Sequence, residues 1–152
     1  MNKLNRMHVL LGLLLLFSGL AQAEGLLMVR STMPFPEAME VLKKSVAEHG
    51  YKVAHVQACE GGMEQFGYKS DFYRVVFFGK LDEVRRITEK YPDMIPFVPL
   101  KIAIFAENDE TVLVSLDPMS LAAHAVRPEL QVQLQRWQGD IMSILRELGE
   151  GV

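Results

Sequence analysis

Two imidazoles, one thiol and one thioether fall close together in this chain, at His49, His55, Cys59 and Met63, the last three spaced four residues apart. A set of nitrogen and soft sulfur donors of this kind suits copper, and haem iron takes the same ligand types. The i, i+4 spacing would align such side chains on a helix. However, His55 lies in an alternating stretch, YKVAHVQA, that reads as a strand, and Gly61 and Gly62 follow it. The competing reading is therefore packing: His49 caps a helix end, His55 meets a strand neighbour or solvent, and Met63 fills an edge of the core. Cys59 is the single cysteine. It has no partner for an intramolecular disulfide, and without a C-x-x-C pair it lacks a resolving thiol. As a nucleophile it would need a base from far along the chain, such as His124.

The same stretch, CEGGMEQFGYKS at residues 59 to 70, nearly matches the phosphate-binding pattern G-x-x-x-x-G-K-[ST] through Gly62, Gly67, Lys69 and Ser70. Tyr68 is one residue too many. In that loop the backbone N–H groups, the lysine and the hydroxyl must converge on one phosphate, and a helix must follow to lend its N-terminus. Here the next segment reads as a strand, so a plain connection is the better reading.

A third set lies in the strands themselves. Charged residues inside apolar strands need a partner or a solvated face. In DFYRVVFFGK, Tyr73, Val75 and Phe77 share one side and Arg74, Val76 and Phe78 the other; in VPLKIAIFAE, Leu100, Ile102 and Ile104 oppose Lys101, Ala103 and Phe105. If these strands are neighbours, Arg74 and Lys101 with Phe105 would form a basic, aromatic-edged patch for a small anionic ligand. Asp71 belongs to the same candidate site, and the plain alternative is a salt-bridged solvated face with Asp71 or Glu107 as the partner.

The ends bound where such chemistry would operate. Lys3 and Arg6 precede an apolar run from Val9 to Phe17, and Ala21-Gln22-Ala23 has the small-residue cleavage pattern of a secretory signal peptide. Cleavage is expected between Ala23 and Glu24, giving a periplasmic or otherwise exported protein. The run is shorter than the roughly 18 to 20 residues of a bilayer span, so no integral span is expected after cleavage. The formal charge is −3; losing Lys3 and Arg6 from 16 basic against 19 acidic residues leaves 14 against 19, or −5. An acidic balance argues against nucleic acid as a partner.

The elements that must position these residues alternate helix and strand. LLMVRS reads as a strand, and Pro34 and Pro36 mark a helix start. The stripe Phe35, Met39, Leu42 and Val46 follows, and Gly50 ends the helix. Strands follow at 51–58 and 71–80, then a helix from Leu81 whose apolar stripe is Leu81, Val84, Ile87 and Tyr91. Pro92, Pro96 and Pro99 predict an extended connection. Two strands joined by a tight turn at Asn108-Asp109 come next. A short helical segment, MSLAAHAV, precedes a long helix from Pro128 with Leu130, Leu134, Trp137, Ile141, Ile144 and Leu148 on one side. The order βαββαββ plus a terminal helix predicts an α+β domain with an antiparallel or mixed sheet and helices on one face.

The segments GYKVAHVQACEGG, DFYRVVFFGK, PDMIPFVPLKIAIFAE and ETVLVSLDP resemble the domain of unknown function 302 family over about residues 26 to 118. The resemblance implies a small α+β domain of TATA-binding-protein-like architecture, often dimeric, with no established activity and no catalytic set. The organisation read is a signal peptide at 1–23, the α+β domain at 24–127 and an amphipathic helix at 128–152. The expected function is a non-enzymatic, exported, ligand- or partner-binding homodimer that requires no cofactor. An envelope protein or a small anion is the expected partner. The alternative is an envelope metal binder, for copper or haem, using His55, Cys59 and Met63 with His49.

Overall fold

The computed structural model describes residues 25–59, 72–125 and 127–151. Five strands form one sheet, antiparallel throughout: β1 (Leu26–Ser31), β2 (Lys52–Ala58), β3 (Tyr73–Gly79), β4 (Leu100–Glu107) and β5 (Glu110–Leu116). Their spatial order is β1-β5-β4-β3-β2. Three helices, α1 (Phe35–Glu48), α2 (Leu81–Lys90) and α3 (Pro128–Arg146), complete the expected βαββαββα order. The α+β reading holds, and the sheet is antiparallel rather than mixed.

Period-2 strands and period-3.6 helices meet on one face of the sheet. Register places Val29 beside Leu113, Leu113 beside Ile104, Ile102 beside Val76, and Leu100 beside Phe78. Opposed residues point to the same side of a sheet, so these form a single apolar surface. Against it pack Leu42 and Val46 of α1, Ile87 of α2 and all six apolar residues predicted for the terminal helix, five in α3 and Leu148 just after it. Leu130, Leu134, Trp137, Ile141, Ile144 and Leu148 are each at most 2% exposed, which makes α3 part of this chain's own core. Burying those six side chains contributes on the order of 10 kcal/mol gross, before the entropy of ordering them.

Helix ends follow from local chemistry. Pro34 and Pro36 cost α1 nothing in its first turn, where N–H groups have no intrahelical partner. His49 is its C-cap, as expected, with Nδ1 2.9 Å from the Ser45 carbonyl. Gly50 then takes φ +77°, which a side chain would disfavour. The proline-spaced connection departs from expectation, because Pro92–Phe97 is a 3₁₀ turn rather than extended chain. Pro92 sits in its first turn, and the bonds from Met94 N to Tyr91 O (2.9 Å) and Val98 N to Ile95 O (3.4 Å) need no proline donor. Leu81 also departs from its predicted stripe and is 67% exposed.

Polar contacts pin α3 in place. The Trp137 indole donates to Glu83 Oε2 at 2.6 Å, and Arg136 bonds the other oxygen of that carboxylate. One turn further along α3, Tyr51 donates to Asp140 at 2.5 Å while Lys80 lies 4.2 Å from the Tyr51 ring centre. Burial first, and then Asp140, push the Tyr51 hydroxyl well above the ordinary phenol range, so it stays a donor. Beyond α3 the chain returns to β1: Arg30 N donates to Glu150 O (3.0 Å) and Glu150 N to Arg30 O (3.2 Å). Gly149 permits this approach, since a side chain there would collide with the Arg30 carbonyl.

Candidate functional site

Antiparallel sheets with helices on one side commonly turn polar residues to the other. This one does not. The row opposite the helices runs Met28, Val114, Ala103, Val75 and Gln57 across all five strands in register. The adjacent row runs Arg30, Val112, Phe105 and Tyr73, and a third places Lys101 beside Phe77 and Phe77 beside His55. Four of the five residues in the middle row are therefore apolar and face away from the helices. Leu26 and Met28, at the β1 edge of this face, are 51% and 44% exposed.

Side-chain size shapes the face into an open groove of about 410 Å³. Ala103 makes its low floor between Val75 and Val114, with Leu26, Leu116 and the aromatic rings of Tyr73 and Phe77 around it. Tyr73 and Phe105 meet edge to face, ring centres 6.1 Å apart, and the His55 ring lies 6.2 Å from that of Phe77. Charge is distributed unevenly along the open face. At one end Arg30 is held by Glu107 at 2.7 Å and Glu110 at 3.1 Å. At the other, Lys101 is exposed and has no acidic partner among the described residues.

The candidates read from sequence separate in the fold. Lys101 and Phe105 share the open face. Arg74 does not: it opposes Ile104 on the helix side of the sheet, where it is half-buried and donates to the Tyr73 carbonyl. The two cations were expected on one patch, but the register that makes β3 and β4 neighbours puts them on opposite faces. Asp71 and Met63 lie outside the described residues, as does the glycine stretch from Gly61 to Ser70.

His55 and Cys59 both continue β2, since Cys59 N still donates to the Tyr73 carbonyl. Four residues of strand separate them by about 13 Å, too far to share an ion held at roughly 2.0–2.3 Å from each ligand. His49 sits apart at the end of α1, its Nε2 3.8 Å from Glu147. Among the described residues no group of three His, Cys, Asp or Glu gathers as a metal site would. Cys59 and His124 lie near opposite ends of the strands. Cys59 follows the end of β2 beside Tyr73 and Phe105, whereas His124 follows β5, past the end where β4 begins.

The outward apolar row was partly legible in advance, because β3 and β4 lack alternation: apolar residues occupy both sides of VVFF and of IAIF. The contributions of β1 and β5 were not, since only the pairing register aligns Met28 and Val114 with Ala103.

Residues 27–148 match the family described as Domain of unknown function DUF302, a span that includes α3 and so extends past the region 26–118 that resembled it. The crystal structure of an uncharacterized conserved protein DUF302 from Bacillus stearothermophilus is similar to this chain. Its TM-score is 0.72 at 17% identity, covering 83% of this chain and 99% of that one. At that identity the likeness carries the fold alone. No curated protein matches.

Proposed function

The chain belongs to the DUF302 family, and from that premise we propose that it is an exported binding domain whose working surface is the open face of its sheet. The observation that carries this reading is the in-register row Met28, Val114, Ala103 and Val75, apolar on the side that no helix covers among the described residues. Contiguous apolar surface left to water is costly and marks a place where something else is received. Export is supported by Lys3 and Arg6, the apolar run after them, and the Ala21-Gln22-Ala23 pattern. Among the described residues no helix is long and apolar enough to cross a membrane.

A neutral apolar dye such as Nile red tests the face. Native protein is expected to bind it saturably, and Ala103→Glu, which raises a charge at the groove floor, to abolish the signal with circular dichroism unchanged. Equal binding by wild type and variant would defeat the reading. Cell fractionation and the mass of the recovered chain test export, with Glu24 expected as the first residue.

A second reading, the homodimer, has one observation in its favour. Lys101 and Glu107 stand at opposite ends of β4. A second copy turned end for end over the face would set each Lys101 above the partner's acidic end, the self-complementary arrangement a two-fold axis requires. Light scattering decides this: a doubled mass that Ala103→Glu halves is the dimeric outcome.

A further inference from the structure

We infer that the groove of the open face takes a single-chain amphipathic anion, with its carboxylate at Lys101 and its hydrocarbon tail along Ala103 toward Tyr73, the neighbour of Phe105. The inference rests on the open face being the working surface and adds the chemistry of what enters it.

Three features of the face specify this ligand. The floor is apolar, being Ala103 between Val75 and Val114, which suits a hydrocarbon tail. Lys101 is a solvated ammonium at one end of that floor without an acidic partner among the described residues. It can meet an anion without first breaking an ion pair. Lys101 also borders a second, smaller cavity of about 30 Å³, lined from the helix side by Leu121 and Trp137. Beyond the groove, the opposite end of the face carries two carboxylates, Glu107 and Glu110, on one guanidinium, Arg30. An anionic head is therefore repelled there and attracted at Lys101, which gives the groove a direction. From Lys101 to Phe105 is four residues of strand, about 13 Å, the reach of a medium-length acyl chain.

Charge discriminates this from a groove that is merely greasy. A long tail supplies affinity in either case, but only an ion contact makes a carboxylate bind better than an alcohol of equal length and a quaternary ammonium worse. Trp137 is the only tryptophan and lines that second cavity together with Lys101, so its fluorescence is a built-in reporter.

The test uses protein purified from the envelope fraction of cells expressing the full-length chain. It is titrated with decanoate, decanol and decyltrimethylammonium below their micelle concentrations, by calorimetry and by Trp137 fluorescence. Decanoate is expected to bind about tenfold or more tighter than decanol, and decyltrimethylammonium weaker than both. Lys101→Met, an exposed position that packs no core, should erase the decanoate advantage and leave decanol binding unchanged. Equal binding of the three probes, or a preference that survives Lys101→Met, overturns the inference. If all three bind equally and Ala103→Glu abolishes them, the open face remains a binding surface and only the anion fails. If no probe binds and light scattering gives a dimer, the face is occupied by a second copy and both fall. Sedimentation with phosphatidylglycerol vesicles without binding of free decanoate overturns it in favour of a lipid surface.

Discussion

Glu83 shows how much one side chain can fix. Its carboxylate is only 10% exposed, yet it receives the Trp137 indole N–H and Arg136 together, joining α2 to the middle of α3. Replacing it by alanine leaves a buried N–H without an acceptor, and urea unfolding should show a loss of about 1–3 kcal/mol. Glu129 is a different case, exposed and tied first to Lys90 and then to Tyr91, which hold it below the usual carboxylate range. Because the folded value is depressed, its contribution is complete above the ordinary value near 4.5 and is lost as pH falls through the folded one. Melting temperatures of wild type and Glu129→Gln should therefore converge as the solution is acidified; a gap that stays constant with pH would show that the pairing does not act. Single residues were also where sequence reasoning misled most. Arg74 and Lys101 look alike in composition, and only their places in the β3–β4 register decide that one backs onto the helix layer while the other meets solvent.

Elements were more legible than residues, for a physical reason. A helix or strand is specified by a short-range period, and the α3 period is so regular that every predicted position is buried. The same helix offers a matched pair of tests. Leu134→Ala empties fully enclosed volume and should cost about 2–5 kcal/mol in chemical denaturation. Val132→Ser, 65% exposed two residues earlier, should stay within about 0.5 kcal/mol of wild type. Comparable losses at both sites would mean that α3 packs with a different side inward. Where local rules are weak the reading failed. Prolines spaced as at 92, 96 and 99 fit an extended chain or a 3₁₀ turn, and the Tyr91–Met94 bond selects the turn. Pairing order is a long-range property, and no local period in β5 announces that it lies between β1 and β4.

The whole molecule is two layers, with helices on one side of the sheet and nothing from the described chain on the other. Its stability and its binding surface are thereby separated: the helix layer carries the core, and the open face can change its residues without emptying it. Lys101→Met should accordingly leave the urea midpoint within about 0.5 kcal/mol of wild type, whatever it does to binding. The two edges of the sheet are not alike either. Residues 149–151 lie along β1 and engage Arg30 through both of its backbone groups, while β2 has no outer strand among the described residues. A sheet sealed on one margin can be doubled but not polymerised, because β2 pairing with a second β2 uses up the one margin that the described residues leave open on each copy. The few residues after α3 thus act as a chain terminator for edge-to-edge growth. Deleting 149–152 should convert a species of fixed mass into one whose scattering rises with concentration.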